Sequence, residues 1–452
     1  MLLNLLPSRK TGSTFALAIA LACGTAVATV GFAEPAYAQK KDKKKGKEQP
    51  YTKEFIAAYN PLNEAMNAEG ANVAALRPQV DALLAMATTP DERLAIGNLA
   101  YNAGIKSSDR ALQLSGMEMM LSSEKLTVEN RPQYNFVAYQ LANSIGDISK
   151  SRLFLQKAID LNFSNAEVTP DLLRAVMADS YFQQNQLAEG LAYLSGIIKE
   201  REATAGSAPE EWYRTGMVTA YRNEIVPQVY DFAVGWVQHY PSDANWRDAV
   251  NIARNLGTFN AGEALDLMRL AHKLDTMSSK QDYIEYVEAA DPRRLPKEVA
   301  DVIEHGYSTG RVSKDDIYIA DSLATAKGRI ASDRSELPAL EKDARASAAG
   351  LRTVVAAGDA FLSYGDYAKA EEFYAKALTM PGVETAEVTT RLGISQAKQG
   401  KHDAASATFS SVNGKRRPIA MLWNAHVLQN SASASAAAPA SSPAAQAPAI
   451  GG

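Results

Sequence analysis

One stretch near the C-terminal end of the chain constrains the fold more than any other. Residues 358–378 read GDAFLSYGDYAKAEEFYAKAL, with small residues at Gly358, Ala370 and Ala377 and aromatic residues at Phe361 and Tyr374. A glycine–aspartate turn at Gly365 divides the stretch into two short helices, and the small residues let those helices approach closely. Because one such hairpin cannot bury its apolar face alone, the sequence predicts similar hairpins stacked beside it.

This stretch resembles a tetratricopeptide repeat, a helical hairpin of about 34 residues. The small and aromatic residues above stand at the positions that the family pattern asks for, and Pro381 follows the second helix. The resemblance implies one repeat over residues 351–384 and a weaker one over residues 386–417. In the weaker repeat Gly393, Ala405 and Phe409 keep the pattern, but Gln396 replaces a large residue.

Turn residues recur upstream at a spacing that suits the same kind of repeat. They stand at Gly146, Asn185, Asn223 and Gly257, with intervals of 39, 38 and 34 residues, and 35 residues separate Gly365 from Gly400. The 108 residues between Gly257 and Gly365 leave room for two more units. We predict one turn within residues 291–296, where DPRRLP interrupts a helix, and another near Gly328. Alternatively, residues 315–335 form one long helix.

The fold class predicted from these patterns is all-α, an α-solenoid of stacked antiparallel helix pairs over residues 53–430. Residues 55–126 should contribute three or four amphipathic helices, with Thr89-Pro90-Asp91 as one helix start. Pro209-Glu210 and the segment from Tyr240 to Asp243 have the same start chemistry. Sustained strand-like alternation is almost absent, so we expect no strands. The alternative is an irregular helical domain with two true repeats near its C-terminal end.

The N-terminal 38 residues resemble an export signal. Arg9 and Lys10 precede an apolar run over residues 15–33, and Ala36-Tyr37-Ala38 offers a signal-peptidase site. We expect cleavage before Gln39 and a periplasmic or secreted protein. The alternative is an uncleaved membrane anchor, since the run approaches the roughly 20 residues that span a bilayer.

The segments that flank the helices have a simple composition. Residues 39–52 form a lysine-rich linker, and the lysines from Lys40 to Lys47 could contact an anionic membrane or polymer. Residues 431–452 are rich in Ala, Ser and Pro, which predicts a disordered tail. Cys23 is the only cysteine of the chain, so the cleaved form would have no disulfide. A net charge of −4 does not indicate a nucleic-acid partner.

No catalytic, cofactor or metal site is predicted. The five histidines form no HExxH or comparable pair, and His272 with Asp275 is typical of a surface pair. Adjacent acids such as Glu371 and Glu372 point about 100° apart on a helix and do not converge on one substrate atom. There is no nucleophile elbow and no phosphate-binding loop. Two acids from separate helices could still meet across a cleft.

The resemblance to tetratricopeptide repeats implies a partner surface on the concave face, lined by the first helix of each pair. The residues expected to be exposed there are Tyr213, Met217, Tyr221, Arg352, Asp359, Ser363, Glu387 and Lys398. Aromatic residues flanked by charges suit a peptide groove. The alternative is that the tyrosines belong to the core, since helical spacing of aromatic residues usually reflects packing.

The leading hypothesis from the sequence is a non-enzymatic interaction scaffold of the bacterial cell envelope that binds a protein or peptide. The rivals are an envelope enzyme or polysaccharide-handling factor on a helical ring, and a membrane-tethered organiser. The hypothesis requires an accessible inner wall. A compact sheet-containing globule, or a buried cluster of converging ionisable side chains, would contradict it. The sequence specifies neither the partner nor the oligomeric state.

Overall fold

A computed structural model describes residues 49–437 of the chain. These residues form helices, turns and loops, and no strand occurs among them, as predicted. The predicted signal peptide, the linker up to residue 48 and the tail from residue 438 onward lie outside the described residues.

Twenty α-helices run through the described part of the chain, with two short 3₁₀ turns at Val73–Leu76 and Gly414–Arg416. The helices are α1 (Lys53–Asn67), α2 (Arg77–Met86), α3 (Pro90–Lys106), α4 (Arg110–Leu121), α5 (Arg131–Ser144), α6 (Ile148–Asp160), α7 (Pro170–Gln183), α8 (Leu187–Ala205), α9 (Glu210–Arg222), α10 (Gln228–His239), α11 (Asp243–Leu256), α12 (Ala261–Lys273), α13 (Lys280–Ala290), α14 (Pro296–Ser308), α15 (Ile317–Arg345), α16 (Leu351–Ser363), α17 (Tyr367–Leu378), α18 (Thr385–Lys398), α19 (His402–Ser410) and α20 (Arg417–Ala437).

The chain divides into two compact units, and the division falls at Ile197–Ile198 within α8. In the first unit, α3 packs on α4 and α5 packs on α6. In the second unit, α9 packs on α10, α16 on α17 and α18 on α19. Short turns join the members of each pair, so the helices run antiparallel. The predicted all-α solenoid of stacked antiparallel helix pairs is confirmed.

Helix starts follow the capping chemistry read from the sequence. The Thr89 side chain accepts a hydrogen bond from the backbone N–H of Glu92, and the Glu92 carboxylate accepts one from the Thr89 N–H. This reciprocal pair satisfies two donors that would otherwise be unpaired at the start of α3. The Ser242 side chain caps α11 by accepting one hydrogen bond from the Asn245 N–H, and α9 begins directly after Pro209.

The turns within helix pairs lie where the sequence placed them. Gly365 has φ +80° and Gly400 has φ +74°, the left-handed conformation that glycine adopts without a steric cost. Asn185 and Glu224 take the same conformation, with φ +57° and +53°. Residues 291–295 separate α13 from α14, so the turn predicted within residues 291–296 is also confirmed.

Three helix pairs of the second unit share one contact that defines the repeat. A glycine of the first helix lies against an aromatic ring sixteen positions later, on the second helix. The pairs are Gly216 with Phe232, Gly358 with Tyr374 and Gly393 with Phe409. A Cβ at Gly358 would lie only 2.6 Å from the Tyr374 ring, and the same distance applies at Gly393. The glycines are therefore required by close helix packing.

The prediction of a turn near Gly328 is wrong. Helix α15 continues through this position from Ile317 to Arg345, so the alternative of one long helix is correct. Apart from the backbone of its own helix, no atom lies within 4 Å of the site where a Cβ of Gly328 would stand. No second helix packs there to require a turn, and a lone glycine costs a helix only about 1 kcal/mol.

The last helix closes the second unit on itself. Helix α20 packs against α18 and α19 and also against α10, α11 and α12, and α12 contacts α18. Trp423 of α20 stacks on Phe409 with ring centroids 6.2 Å apart, as expected for a helix that covers the last pair. The contacts with α10 to α12 were not predicted. The helix also continues to Ala437, past the predicted start of the tail at residue 431.

Candidate functional site

A buried ionic cluster fills the space between helices of the second unit, and its centre is Asp266 of α12. The Asp266 side chain is completely buried, with 0% exposure. Its carboxylate accepts hydrogen bonds from Arg269 Nη1 at 2.8 Å, Arg391 Nε at 3.3 Å and Arg416 Nη1 at 2.6 Å. Trp423 Nε1 donates to the Asp266 backbone oxygen at 2.9 Å. Residues up to 157 positions apart therefore converge on Asp266.

The arginines around Asp266 are paired with further carboxylates. Arg269 donates to both Glu298 oxygens, at 2.7 and 2.8 Å. Arg391 binds Asp359 at 3.0 Å and Glu387 at 2.7 Å. Such bidentate or charge-assisted hydrogen bonds are the strong ones in proteins.

Two buried tyrosines complete the cluster. The Tyr286 hydroxyl donates to Glu298 and the Tyr374 hydroxyl donates to Asp359, each at 2.7 Å. Tyr374 is the same residue that packs on Gly358 in the repeat contact. The repeat contact and the ionic cluster are thus joined through one side chain.

The carboxylates of this cluster are held in their ionised form. Burial alone would raise the pKa of Asp266, but the positive charges of Arg391, Arg269 and Arg416 hold it below its usual value. Burial opposes ionisation of Glu298 as well, and Arg269 and Tyr286 lower its pKa. A general acid at neutral pH needs a raised pKa. These two buried carboxyls have the opposite shift, which suits ion pairing.

The cluster corrects the expectation of an open inner wall in the second unit. Asp359 and Glu387, both expected to be exposed to a partner, instead bind Arg391. A buried cluster of converging ionisable side chains is also the feature that would contradict the scaffold hypothesis in its original form. Asp359 and Glu387 are therefore engaged in ion pairs within the chain, although both side chains stay partly exposed, at 17% and 31%.

The aromatic part of the predicted surface also differs. Tyr213 is only 1% exposed, and Met217 is buried as well, so the expectation that both face solvent is wrong. The Tyr213 hydroxyl donates a hydrogen bond to Glu202 at 2.6 Å. Burial is the main cause of the raised pKa of Tyr213, and the hydrogen bond to Glu202 adds to it. Tyr221 is half-buried and accepts a long hydrogen bond from Asn255. For Tyr213 and Met217 the alternative is correct, because their helical spacing places them in the core.

The other three predicted residues lie outside the ionic cluster. Arg352 is exposed, Ser363 is half-buried and donates to the backbone oxygen of Ala360 at 2.8 Å, and Lys398 is half-buried. Burial, with the positive charge of Lys273 nearby, lowers the pKa of Lys398 to about 8. That Arg352, Ser363 and Lys398 contact a partner remains a prediction from the sequence.

The histidines form no metal centre in the described part of the chain. His272 and His305 meet edge to face, with ring centroids 5.0 Å apart. Asp275 binds Arg311 and lies 3.4 Å from His305 Nε2, so the expected His272–Asp275 surface pair is not what forms. Among residues 49–437, no group of three or more His, Cys, Asp or Glu side chains could hold a metal ion.

A surface groove in the second unit is the strongest remaining candidate for a binding site. It lies between the turn after α9, the turn after α11 and the start of α20, and its volume is about 230 Å³. Its lining residues are Val226, Pro227, Tyr230, Leu256, Gly257, Thr258, Phe259, Gly414, Lys415, Arg417, Pro418 and Met421. Val226 is 51% exposed although it is apolar. The lining therefore combines apolar surface with two cations and no carboxylate.

The basic run Lys415-Arg416-Arg417 connects the groove to the ionic cluster. Arg416 points inward and binds Asp266, whereas Lys415 and Arg417 are exposed at the groove. Arg417 lies 3.6 Å from Asp231. No hydrogen bond or ion pair joins Lys415 to any described residue. This basic run beside Pro418 is the sequence signal that could have identified the groove.

Two further cavities are lined by other residues. One of about 370 Å³ lies between α1 and α2 in the first unit, against Leu62 and Leu83. Another of about 320 Å³ lies between α19 and α20 in the second unit. Between residues 49 and 437, no helix is both long and apolar enough to cross a bilayer.

Likeness to known proteins is found at the level of structure, and it is distant. No model of a known protein family matches the chain, and no curated protein matches its sequence. One similar solved structure is Naa15/Naa10 bound to HypK-THB, with a TM-score of 0.32 and 11% identity over 83% of this chain and 68% of that chain. Another is the APC/C hetero-tetramer Cut9-Hcn1, with a TM-score of 0.21 and 12% identity over 75% of this chain and 72% of that chain. At these values the likeness carries no argument about function.

Proposed function

We propose that the chain is a non-enzymatic scaffold of the bacterial cell envelope that binds another protein. The observation that carries this proposal is the groove beside Lys415 and Arg417. It places exposed apolar side chains next to charges on a helical-repeat framework. Protein interfaces commonly combine an apolar centre with a polar rim in this way.

The binding surface proposed here differs from the one expected from the sequence. The face around Asp359 and Glu387 is occupied by Arg391 and its neighbours. The groove keeps Val226 and Lys415 exposed. Exposed apolar surface rimmed by polar residues is a common mark of interaction sites.

We also propose that the chain has no catalytic activity of its own. Catalytic carboxylates usually come as a pair in which one member stays protonated near neutral pH. Asp266 and Glu298 instead have lowered pKa values and are bound by arginine. Their arrangement supports a structural role for the cluster.

We also propose that the protein is exported, with residues 1–38 removed. The basic start, the apolar run and Ala36-Tyr37-Ala38 support this location. The mass of the protein isolated from cells tests it. Export with cleavage predicts an N-terminus at Gln39, and an intact Met1 on the whole population would contradict it. Contact of the lysines from Lys40 to Lys47 with an anionic surface is proposed on charge alone.

The scaffold role is tested by site-specific crosslinking in cells. A photoreactive residue replaces Thr258, which lines the groove, and in a control strain it replaces Lys314, which is exposed elsewhere in the second unit. We expect a discrete crosslinked protein from position 258, and its loss when Val226→Glu is added. The same crosslinked products from both positions, or none from position 258, would contradict the proposal.

A further inference from the structure

The residue between the two exposed cations of the groove anchors the backbone that carries them. Arg416 is buried and binds Asp266 at 2.6 Å. The 3₁₀ turn at Gly414–Arg416 leads directly into α20. The ionic cluster thus anchors the backbone of Lys415 and Arg417 at the mouth of the groove, while their side chains are exposed. An anchored backbone loses less conformational entropy when the segment binds a partner.

The floor of the groove is apolar and small. Tyr230 is buried beneath it, while Leu256, Phe259 and Met421 are half-buried around it. Pockets that enclose drug-sized molecules usually have about 300–1,000 Å³, and this one has about 230 Å³. A cavity of this size suits apolar side chains of a polypeptide that crosses the surface.

The charge at the rim is unbalanced. The groove is lined by two cations and by no carboxylate. Arg417 has one acidic neighbour, Asp231, at 3.6 Å, and Lys415 is paired with no described residue. A negatively charged partner would therefore complete the site, while a positively charged partner would be repelled.

We propose that this groove binds an extended protein segment in which apolar side chains adjoin carboxylates. The inference rests on the proposed scaffold function and adds the chemistry of the partner. The apolar side chains enter the space over Tyr230 and beside Val226, and the carboxylates bind Lys415 and the free donors of Arg417. Because these charges are exposed, the affinity falls as the salt concentration rises.

The test uses the mature full-length chain and labelled peptides in fluorescence anisotropy. Three extended peptides share the same leucines, which alternate with glutamate, with glutamine or with lysine. We expect the glutamate peptide to bind about tenfold more tightly than the glutamine peptide, a difference of about 1.4 kcal/mol. We expect the lysine peptide to bind more weakly than either.

Two double variants separate the groove from general electrostatics. The double variant Lys415→Glu with Arg417→Glu should no longer bind the glutamate peptide more tightly than the glutamine peptide. It should bind the lysine peptide most tightly of the three. Lys314→Glu with Arg329→Glu makes the same change in net charge at exposed positions away from the groove, and it should leave the order of affinities unchanged. Circular dichroism establishes that both variants are folded. Val226→Ser should weaken all three peptides alike, because it removes apolar contact only.

Other outcomes overturn the inference in distinguishable ways. Equal binding of the glutamate and glutamine peptides would contradict the proposed preference for carboxylates. It would not contradict the proposed function, since the groove would still bind a polypeptide. If no peptide binds and position 258 yields no crosslink, the proposed function fails as well. Sedimentation that shows a dimer dissociated by Lys415→Glu with Arg417→Glu would assign the groove to a second copy of the chain. Binding of anionic vesicles through the same cations, without peptide binding, would assign it to a lipid surface.

Discussion

At the scale of single residues, buried carboxylates hold distant parts of the chain together. Glu92 in the first unit is fully buried and accepts hydrogen bonds from the backbone N–H groups of Thr52, Thr88 and Thr89. Burial opposes its charge, yet these bonds lower the pKa of Glu92 to about 2. One side chain therefore fixes the starts of α1 and α3.

We predict that Glu92→Gln lowers the free energy of unfolding by about 3 kcal/mol, because charged hydrogen bonds are lost and a buried donor is introduced. A depressed pKa contributes stability that is full above the ordinary carboxyl range and lost as the pH falls toward about 2. Urea unfolding at pH 7 and pH 3 measures both effects, with exposed Glu64→Gln as the control. Equal stability of wild type and Glu92→Gln at pH 7 would refute the role of Glu92.

Asp266 should have a larger effect in the second unit. Asp266→Asn leaves Arg391 and Arg416 without their shared counter-charge, and breaking a buried ion pair costs about 3–5 kcal/mol. Because the pKa values of Asp266 and Glu298 are lowered, this stability is present at neutral pH and is lost as the pH falls below the ordinary carboxyl range.

The measurement for Asp266 is thermal unfolding across pH. The control is Asp301→Asn, which removes an exposed pair with Lys297 and should cost less than about 1 kcal/mol. We expect the deficit of Asp266→Asn to be largest near neutral pH. If the two variants unfold alike at pH 7, the buried cluster does not stabilise the unit as described.

At the scale of helices, the glycine–aromatic contact specifies how each pair packs. We predict that Gly358→Ala destabilises the second unit by about 1–3 kcal/mol, because its Cβ would overlap the Tyr374 ring. Gly328→Ala, in open space on α15, should instead stabilise by about 0.5–1 kcal/mol through helix propensity. Chemical denaturation of both variants measures the contrast. A stabilising Gly358→Ala would mean that the helices do not approach as closely as described.

Helix α20 is the element that closes the second unit. Truncation after residue 430 removes the end of α20 and the residues beyond it but none of the buried side chains that the structure describes in this helix, and we expect little change in stability. Truncation before Arg417 removes Ile419, Leu422 and Trp423, each at most 1% exposed, and should abolish the folded state of this unit. Limited proteolysis compares the two forms. Equal resistance of both would contradict the closing role of α20.

At the scale of the whole chain, the repeat fold could be predicted from the sequence because its signals are local. The Gly365 turn and the Thr89 cap depend on residues a few positions apart, and both form as expected. The exception is Gly328, where a glycine suggested a turn but no second helix packs against α15 at that position. A glycine alone is therefore not sufficient to end a helix.

The candidate site could not be predicted because its contacts are distant in sequence. Arg391 and Arg416 reach Asp266 across 125 and 150 residues, and no local pattern pairs them. Helical periodicity also places Tyr213 and Met217 on the same face of α9, but it does not show whether that face contacts the core or the solvent. Its burial depends on α8 and α10, which supply Glu202 and His239.

We propose that a partner binds at the groove and not at the face that carries Asp359 and Glu387. The most direct measurement is quantitative capture of the crosslinked partner by two exposed-site variants, Lys415→Glu at the groove and Arg352→Glu on the face expected from the sequence. The account predicts that Lys415→Glu reduces capture about tenfold or more, as expected for the loss of a charge contact, whereas Arg352→Glu leaves it unchanged. Loss of capture by Arg352→Glu with full capture by Lys415→Glu would contradict the account.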